Sequence, residues 1–183
     1  HPPPGCAHML WTLGDAAYPS AFLQLSDPPL MVYAQGQAAP LGGAALAVVG
    51  SRNPTAQGRE NALAFAQDLA ASGVCVVSGL ALGIDAAAHE GALRGGTHLP
   101  LATVAVVGTG LDRVYPKGNQ ALAQAVALRG CLISEYPLGT PPLPAHFPQR
   151  NRLIAALGQG CLVVEAALSS GSLITAHQAL ELG

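Results

Sequence analysis

Five short runs in this chain, 46–50, 74–78, 103–108, 131–134 and 161–165, are apolar at almost every position. A strand with one wet face alternates apolar and polar residues, whereas a strand covered on both faces has no reason to. The runs start at residues 46, 74, 103, 131 and 161, a nearly constant interval. Each interval holds an Ala/Leu-rich stretch of helix length, such as 59–71 or 119–128. This βα repetition predicts an α/β fold, a doubly wound, mostly parallel sheet of extended Rossmann-like type with helices on both faces. Continuing the period puts a sixth strand at roughly residue 190. The C-terminal edge is therefore expected to be truncated or interrupted, because the sequence stops at Gly183.

Residues 1–44 break the pattern. They are rich in Pro and Gly, and only 16–25 hints at a helix. The run Asp27-Pro28-Pro29-Leu30-Met31-Val32-Tyr33 reads as a turn leading into an extended edge strand. The predicted organisation is a lead-in, 1–44, packed on a core, 45–183. The opening His1-Pro2-Pro3-Pro4-Gly5 carries neither an initiator Met nor a secretory signal, and reads as a fragment or an expression scar.

Composition narrows the class. Half of the residues are apolar and 10% are charged, which suits a covered sheet and excludes a disordered chain. Every apolar run is interrupted before the roughly 18 residues that cross a bilayer, so no membrane association is expected. The four cysteines, at 6, 75, 131 and 161, form no C-x-x-C pair and read as reduced thiols of a cytoplasmic protein. With the six histidines they show no ligand spacing, so neither a metal nor a cofactor is expected.

Formal net charge is −2, which predicts no long-range attraction to nucleic acid. Placement tells more. In open parallel sheets ligands bind outside the carboxyl ends of the strands. The loops expected there hold Arg52, Arg113, Lys117, Arg150 and Arg152, five of the eight basic residues, while Arg59, Arg94 and Arg129 fall in helices. A locally cationic rim on an acidic domain would bind a phosphodiester backbone. Tyr115, Tyr136 and Phe147 share these loops and could stack on unpaired bases.

In the first loop Gly50 allows a tight turn, Ser51 and Thr55 offer hydroxyls, and Gly58 opens the next helix. Free amides there would attract an anion, with Arg52 as a clamp. The same residues also make an ordinary βα turn. A second candidate nest, Ser169-Ser170-Gly171-Ser172, would suit a phosphate or simply cap a helix. Asp85 and His89 sit four apart on one helix, bonded to each other or to a neighbouring loop. A catalytic dyad would need an adjacent nucleophile. Glu165, at the end of the fifth run, stands where a catalytic carboxylate could, without an identifiable second one.

Several strings in order resemble the DprA/Smf family of DNA-processing proteins. They are Val49-Gly50-Ser51-Arg52, Ser78-Gly79-Leu80-Ala81-Leu82-Gly83-Ile84-Asp85, Gly108-Thr109-Gly110-Leu111-Asp112 with Tyr115-Pro116, and Phe147-Pro148-Gln149-Arg150-Asn151-Arg152. Val163-Val164-Glu165-Ala166 followed by Ser170-Gly171-Ser172-Leu173-Ile174-Thr175-Ala176 completes them. The resemblance covers about residues 15–183. It implies a single-stranded DNA-binding mediator that is not an enzyme, dimerises, protects incoming DNA, and loads RecA recombinase in natural transformation and recombination. Carried over by position, the DNA-binding residues are Gly50, Ser51, Arg52, Lys117, Phe147, Arg150 and Arg152, joined by Ser170, Gly171 and Ser172. The rival reading is a LOG-type phosphoribohydrolase, but its P-G-G-x-G-T-x-x-E motif is missing from 165–172. A dinucleotide-dependent dehydrogenase would need G-x-G-x-x-G after its first strand, where Gly50-Ser51-Arg52 stands. A purely structural module would leave the loop basics unexplained.

Overall fold

The computed structural model describes residues 6–37, 39, 41–167 and 170–183. Its core is one sheet of seven strands in the order β1-β2-β6-β5-β4-β3-β7. The five apolar runs become β3 (Ala45–Val49), β4 (Cys75–Ser78), β5 (Thr103–Val106), β6 (Cys131–Ser134) and β7 (Cys161–Val163), paired in parallel. Between them run α1 (Ala56–Ala71), α2 (Ile84–Gly95), α3 (Gln120–Arg129) and α4 (His146–Leu157), and α5 (Gly171–Leu182) follows β7.

Both faces of β3 to β6 are buried, as the lack of alternation requires. Val48, Val76, Ala105 and Leu132 point to the α1–α2–α3 side. Ala47, Val49, Val77, Val104, Val106 and Ile133 point to the other, where Leu153, Ile154 and Leu157 of α4 pack. Small residues let α1 and α2 approach closely. Ala62, Ala66 and Ala70 are fully buried on α1, and a Cβ at Gly91 of α2 would collide with the Leu63 carbonyl.

The chain walks β3→β4→β5→β6 in one direction, then crosses the sheet through α4 and lays β7 against the far side of β3. The strand order reverses between β3 and β7. Loops leaving those two strands diverge, and the crevice between them is where an open α/β sheet accepts ligands.

Residues 7–36 do more than pack on the sheet. β2 (Met31–Gly36) pairs antiparallel with β6, and β1 (Ala7–Thr12) pairs antiparallel with β2. The run after Pro29 is therefore an interior strand, and the edge is β1. The hint of a helix at 16–25 is one 3₁₀ segment, Ser20–Gln24, whose Phe22 is fully buried. Tyr18 donates from its hydroxyl to the Pro29 carbonyl at 2.7 Å and meets Phe22 edge-on.

Asp85 and His89 have separate partners. The Thr103 hydroxyl donates to the Val76 carbonyl at 2.6 Å, so its oxygen accepts from Nδ1–H of His89 at 2.7 Å. That fixes the tautomer and leaves Nε2 buried without a partner. Burial, reinforced by the Arg150 charge, depresses the His89 pKa from 6.5 to about 3. Across that range the unfolded chain binds a proton that the native state refuses. Stability present above pH 6.5 is therefore lost as pH falls, by up to about 1.4 kcal/mol per unit. Between pH 6.5 and 4.5, urea unfolding of the wild type should lose about 2–3 kcal/mol more than that of His89→Gln; equal losses would contradict this account.

Candidate nucleic-acid interface

A cleft of about 420 Å³ lies at the carboxyl ends of the strands, where the order reverses. Gly50, Ser51 and Arg52 after β3 form one wall, Phe147, Arg150 and Asn151 of α4 another, and Ser170, Gly171 and Ser172 at the start of α5 a third. Of the residues carried over by position as DNA-binding, all but Lys117 and Arg152 line this cleft. Ser169, part of the second candidate nest, lies outside the described residues. Its neighbour Ser170 caps α5, accepting from the Ser172 amide at 3.3 Å.

Arg150 and Arg152 belong to α4 rather than to a loop. The chain resumes a helix at His146 because Pro148 falls in its first turn, where a missing N–H costs nothing. Two residues on a helix are separated by about 200°, so the two side chains leave α4 on opposite sides. Arg150 is 4% exposed. Its Nη1 donates to the carbonyls of Gly79 (2.6 Å) and Val106, and its Nε to Asn151 Oδ1 at 3.0 Å. It thus ties the ends of β4 and β5 to α4. A Cβ at Gly79 would run into the guanidinium. Arg152 forms a bidentate pair with Glu135, at 2.8 and 2.7 Å, and comes within 3.9 Å of Asp27. It braces α4 against the segment before β2.

The β4–α2 loop forms the floor beside Arg150. Leu80 holds φ of 59°, a left-handed conformation costing on the order of 1–2 kcal/mol for a residue with a side chain. Hydrogen bonds hold it there. Asp85 Oδ2 accepts from the amides of Gly79 (3.1 Å) and Ala81 (3.3 Å), and Asn119 Nδ2 donates to the carbonyls of Leu80 (2.9 Å) and Ala81 (3.2 Å). Burial pushes the Asp85 carboxyl upward, while the Arg150 charge and those two amides pull it down. Asn119, absent from the sequence-derived set, closes the 3₁₀ turn Lys117–Asn119 and so fixes exposed Lys117 beside the same loop.

The aromatic residues divide. Tyr115 and Phe147 approach with ring centroids 5.4 Å apart and share a small slot with Leu82 and Pro116. The Arg52 guanidinium lies 5.9 Å from the Phe147 centroid, and that of Arg150 6.0 Å. Tyr136 instead stacks on His146 at 3.9 Å and donates to Gln149.

The first loop offers only part of the N-terminus of α1. Glu165 takes the N-cap: its carboxylate accepts from the Thr55 amide (2.9 Å) and the Thr55 hydroxyl (2.6 Å), while Thr55 Oγ1 accepts from the Gly58 amide at 3.0 Å. The expectation that Thr55 and Gly58 face an outside anion is corrected by this internal one. Asn151, inside the Phe-Pro-Gln-Arg-Asn-Arg string but not singled out there, donates to the Gly171 carbonyl at 3.3 Å and joins α4 to α5.

Arg150 is the residue on which this site rests. Arg150→Met would leave Asp85 without its nearby charge and two buried carbonyls without a donor, at a cost of roughly 3–5 kcal/mol. Adding Asp85→Asn should recover part of that loss in a urea double-mutant cycle; strictly additive losses would show that the two residues are uncoupled.

Comparison with known proteins puts this geometry in a family. Protein Smf of Escherichia coli (strain K12) is 42% identical over 177 residues, 96% of this chain and 46% of that protein. The chain thus spans about half the length of the curated relatives it matches. The X-ray structure of DNA processing protein A (DprA) from Streptococcus pneumoniae superposes with a TM-score of 0.88 at 41% identity, covering 96% of this chain and 60% of that one. DNA processing protein A from Helicobacter pylori, solved for its unique single-stranded DNA binding mode, gives 0.84 at 34% identity, over 94% of this chain and 77% of that one. The family description "DNA recombination-mediator protein A" matches residues 9–183, and the chain belongs to that family.

Proposed function

We propose that this chain binds single-stranded DNA across the cleft without covalent chemistry, as part of a recombination mediator. The observation that carries the reading is the pairing of Arg52 with the Tyr115–Phe147 aromatics at the cleft mouth. Arg52 is exposed and has no carboxylate partner among the described residues. A free guanidinium suits a phosphate, and an aromatic beside it suits an unpaired base, a combination that a closed duplex cannot satisfy.

In this reading Arg52 and Lys117 take backbone phosphates. Gly50 and Ser51 let the strand come close, and Ser170, Gly171 and Ser172 receive a further phosphate at the start of α5. Phe147 stacks on a base, with Tyr115 extending its ledge. Arg150 and Arg152 serve the same site by holding α4. The carboxylates nearest the cleft are already engaged, Asp85 with loop amides and Glu165 with Thr55, which favours binding over acid–base catalysis. Membership of a recombination-mediator family supports the mediator role, and the reading extends it to a homodimer in the cytoplasm that protects incoming DNA and passes it to RecA. The organisation proposed with it is a lead-in, 1–44, that extends the sheet of a DNA-binding core, 45–183. Among the described residues no helix is long and apolar enough to cross a membrane.

Oligo-dT should bind far more tightly than blunt duplex of equal length. Its affinity should fall with salt with a log–log slope near −0.7 per phosphate neutralised; equal affinity for both forms would defeat the reading. Arg52→Ala and Lys117→Ala should each cost about 1 kcal/mol of oligo-dT affinity and flatten the salt slope by about 0.7. An unchanged slope in both variants would remove these side chains from the interface.

A further inference from the structure

In an open α/β sheet, the helix that follows the strand at the switch point ordinarily offers its N-terminus to a nucleotide phosphate. Here that helix is α1. Its N-cap, Thr55, is held by the chain's own Glu165, which comes from the end of β7 on the opposite side of the crevice. The Thr55 amide donates to Oε1 at 2.9 Å and Oε2 at 3.2 Å, and the Thr55 hydroxyl to Oε2 at 2.6 Å. The main-chain carbonyl of Glu165 also accepts from the Ser51 amide at 2.6 Å, so the same residue closes the loop twice. Gly58 makes the approach feasible, because a Cβ there would run into Oε2. Thr55, Gly58 and Glu165 do not line the cleft, whereas Gly50 to Asn53 and the start of α5 do.

We infer that Glu165 is a specificity-determining residue that plugs the phosphate end of α1, so that the cleft accepts internal phosphodiesters of a polymer and rejects free nucleotides. This rests on the reading that the cleft binds DNA. The physical grounds are charge and donors. A terminal phosphate carries close to two charges at neutral pH, with a second pKa near 6, and needs several donors. An internal phosphodiester carries one charge. Repulsion from the fixed Glu165 carboxylate weighs about twice as heavily on the terminal group. Of the donors that would compensate it, the Thr55 amide and hydroxyl and the Gly58 amide are engaged. What remains for a ligand in the cleft is Arg52 and the start of α5, enough for a singly charged link in a chain that is also held elsewhere.

Binding of thymidine 5′-diphosphate and of oligo-dT would be measured by calorimetry for the wild type, Glu165→Gln and Glu165→Ala. The base is common to both ligands, so the comparison isolates the phosphate. Removing the carboxylate charge should raise diphosphate affinity relative to oligo-dT affinity by about tenfold, as expected when a fixed like charge beside a bound anion is deleted. An unchanged or lower ratio in a variant that melts cooperatively would overturn the assignment, as would wild-type protein binding thymidine diphosphate as tightly as oligo-dT. Glu165→Gln keeps the side-chain shape and one acceptor for Thr55, so it decides the matter if Glu165→Ala does not fold. Wild-type protein that bound no oligo-dT would overturn the DNA reading and this proposal together. Retained oligo-dT binding with an unmoved ratio would overturn the role of Glu165 alone.

Discussion

A single buried guanidinium holds the loop end of this domain together. Arg150 reaches from α4 to the carbonyls at the ends of β4 and β5, and its charge acts on Asp85, whose carboxylate gathers the amides of the intervening loop. A buried Arg is tolerable when its donors find acceptors and an opposite charge is near. Here Nε and Nη1 bond to Asn151 and to the Gly79 and Val106 carbonyls, and the Asp85 charge acts on it, which fixes three elements at once. Phe147, one turn earlier on α4, is thereby set on the cleft wall, and the left-handed Leu80 stays where Asn119 can grip it. The cationic and aromatic rim is a consequence of this internal bond.

Carboxylate pairing decides which cations are left for a ligand. Arg59 pairs with Glu90 and Arg152 with Glu135, and Arg113 has Asp112 within 3.9 Å. Arg150 is turned inward. Among the described residues Arg52, Arg94, Lys117 and Arg129 are exposed without a carboxylate; Arg52 and Lys117 stand at the carboxyl ends of the strands, whereas Arg94 and Arg129 lie in the last turns of α2 and α3. A domain of net charge −2 can therefore present a local phosphate site, because fields at contact range depend on neighbours rather than on the sum. Glu165 applies the same logic in reverse, by placing a carboxylate on the α1 N-cap that an outside anion would otherwise approach.

Much of the fold was legible in the sequence because β3 to β6 are covered on both faces, and the half-buried edge strand β7 is equally apolar, which writes an unbroken apolar run into each of the five parallel strands. β1 was not. Leu10 faces outward at 51% exposure and hides the alternation that Met9 and Trp11 would otherwise show, and its partner β2 is fixed only by pairing with the distant β6. The cleft was legible as a set of loops, since strand ends and their following turns can be located from the period alone. Which way each cation points was not. Arg150 and Arg152 read alike in Phe-Pro-Gln-Arg-Asn-Arg, yet helical geometry sends one under the site and the other to Glu135. Glu165 and Thr55 are bonded across 110 positions of sequence, a distance over which composition and spacing carry no signal.

The most direct test of where this domain meets DNA is amide hydrogen exchange with and without saturating oligo-dT. The account predicts new protection at the loop after β3, in the β4–α2 loop around Leu80, at the turn of Lys117 and at the start of α5. The opposite ends of the strands, near Gly73 and Leu101, should exchange as before. Protection confined to those opposite ends, or spread over the outer faces of α1 and α2, would contradict it.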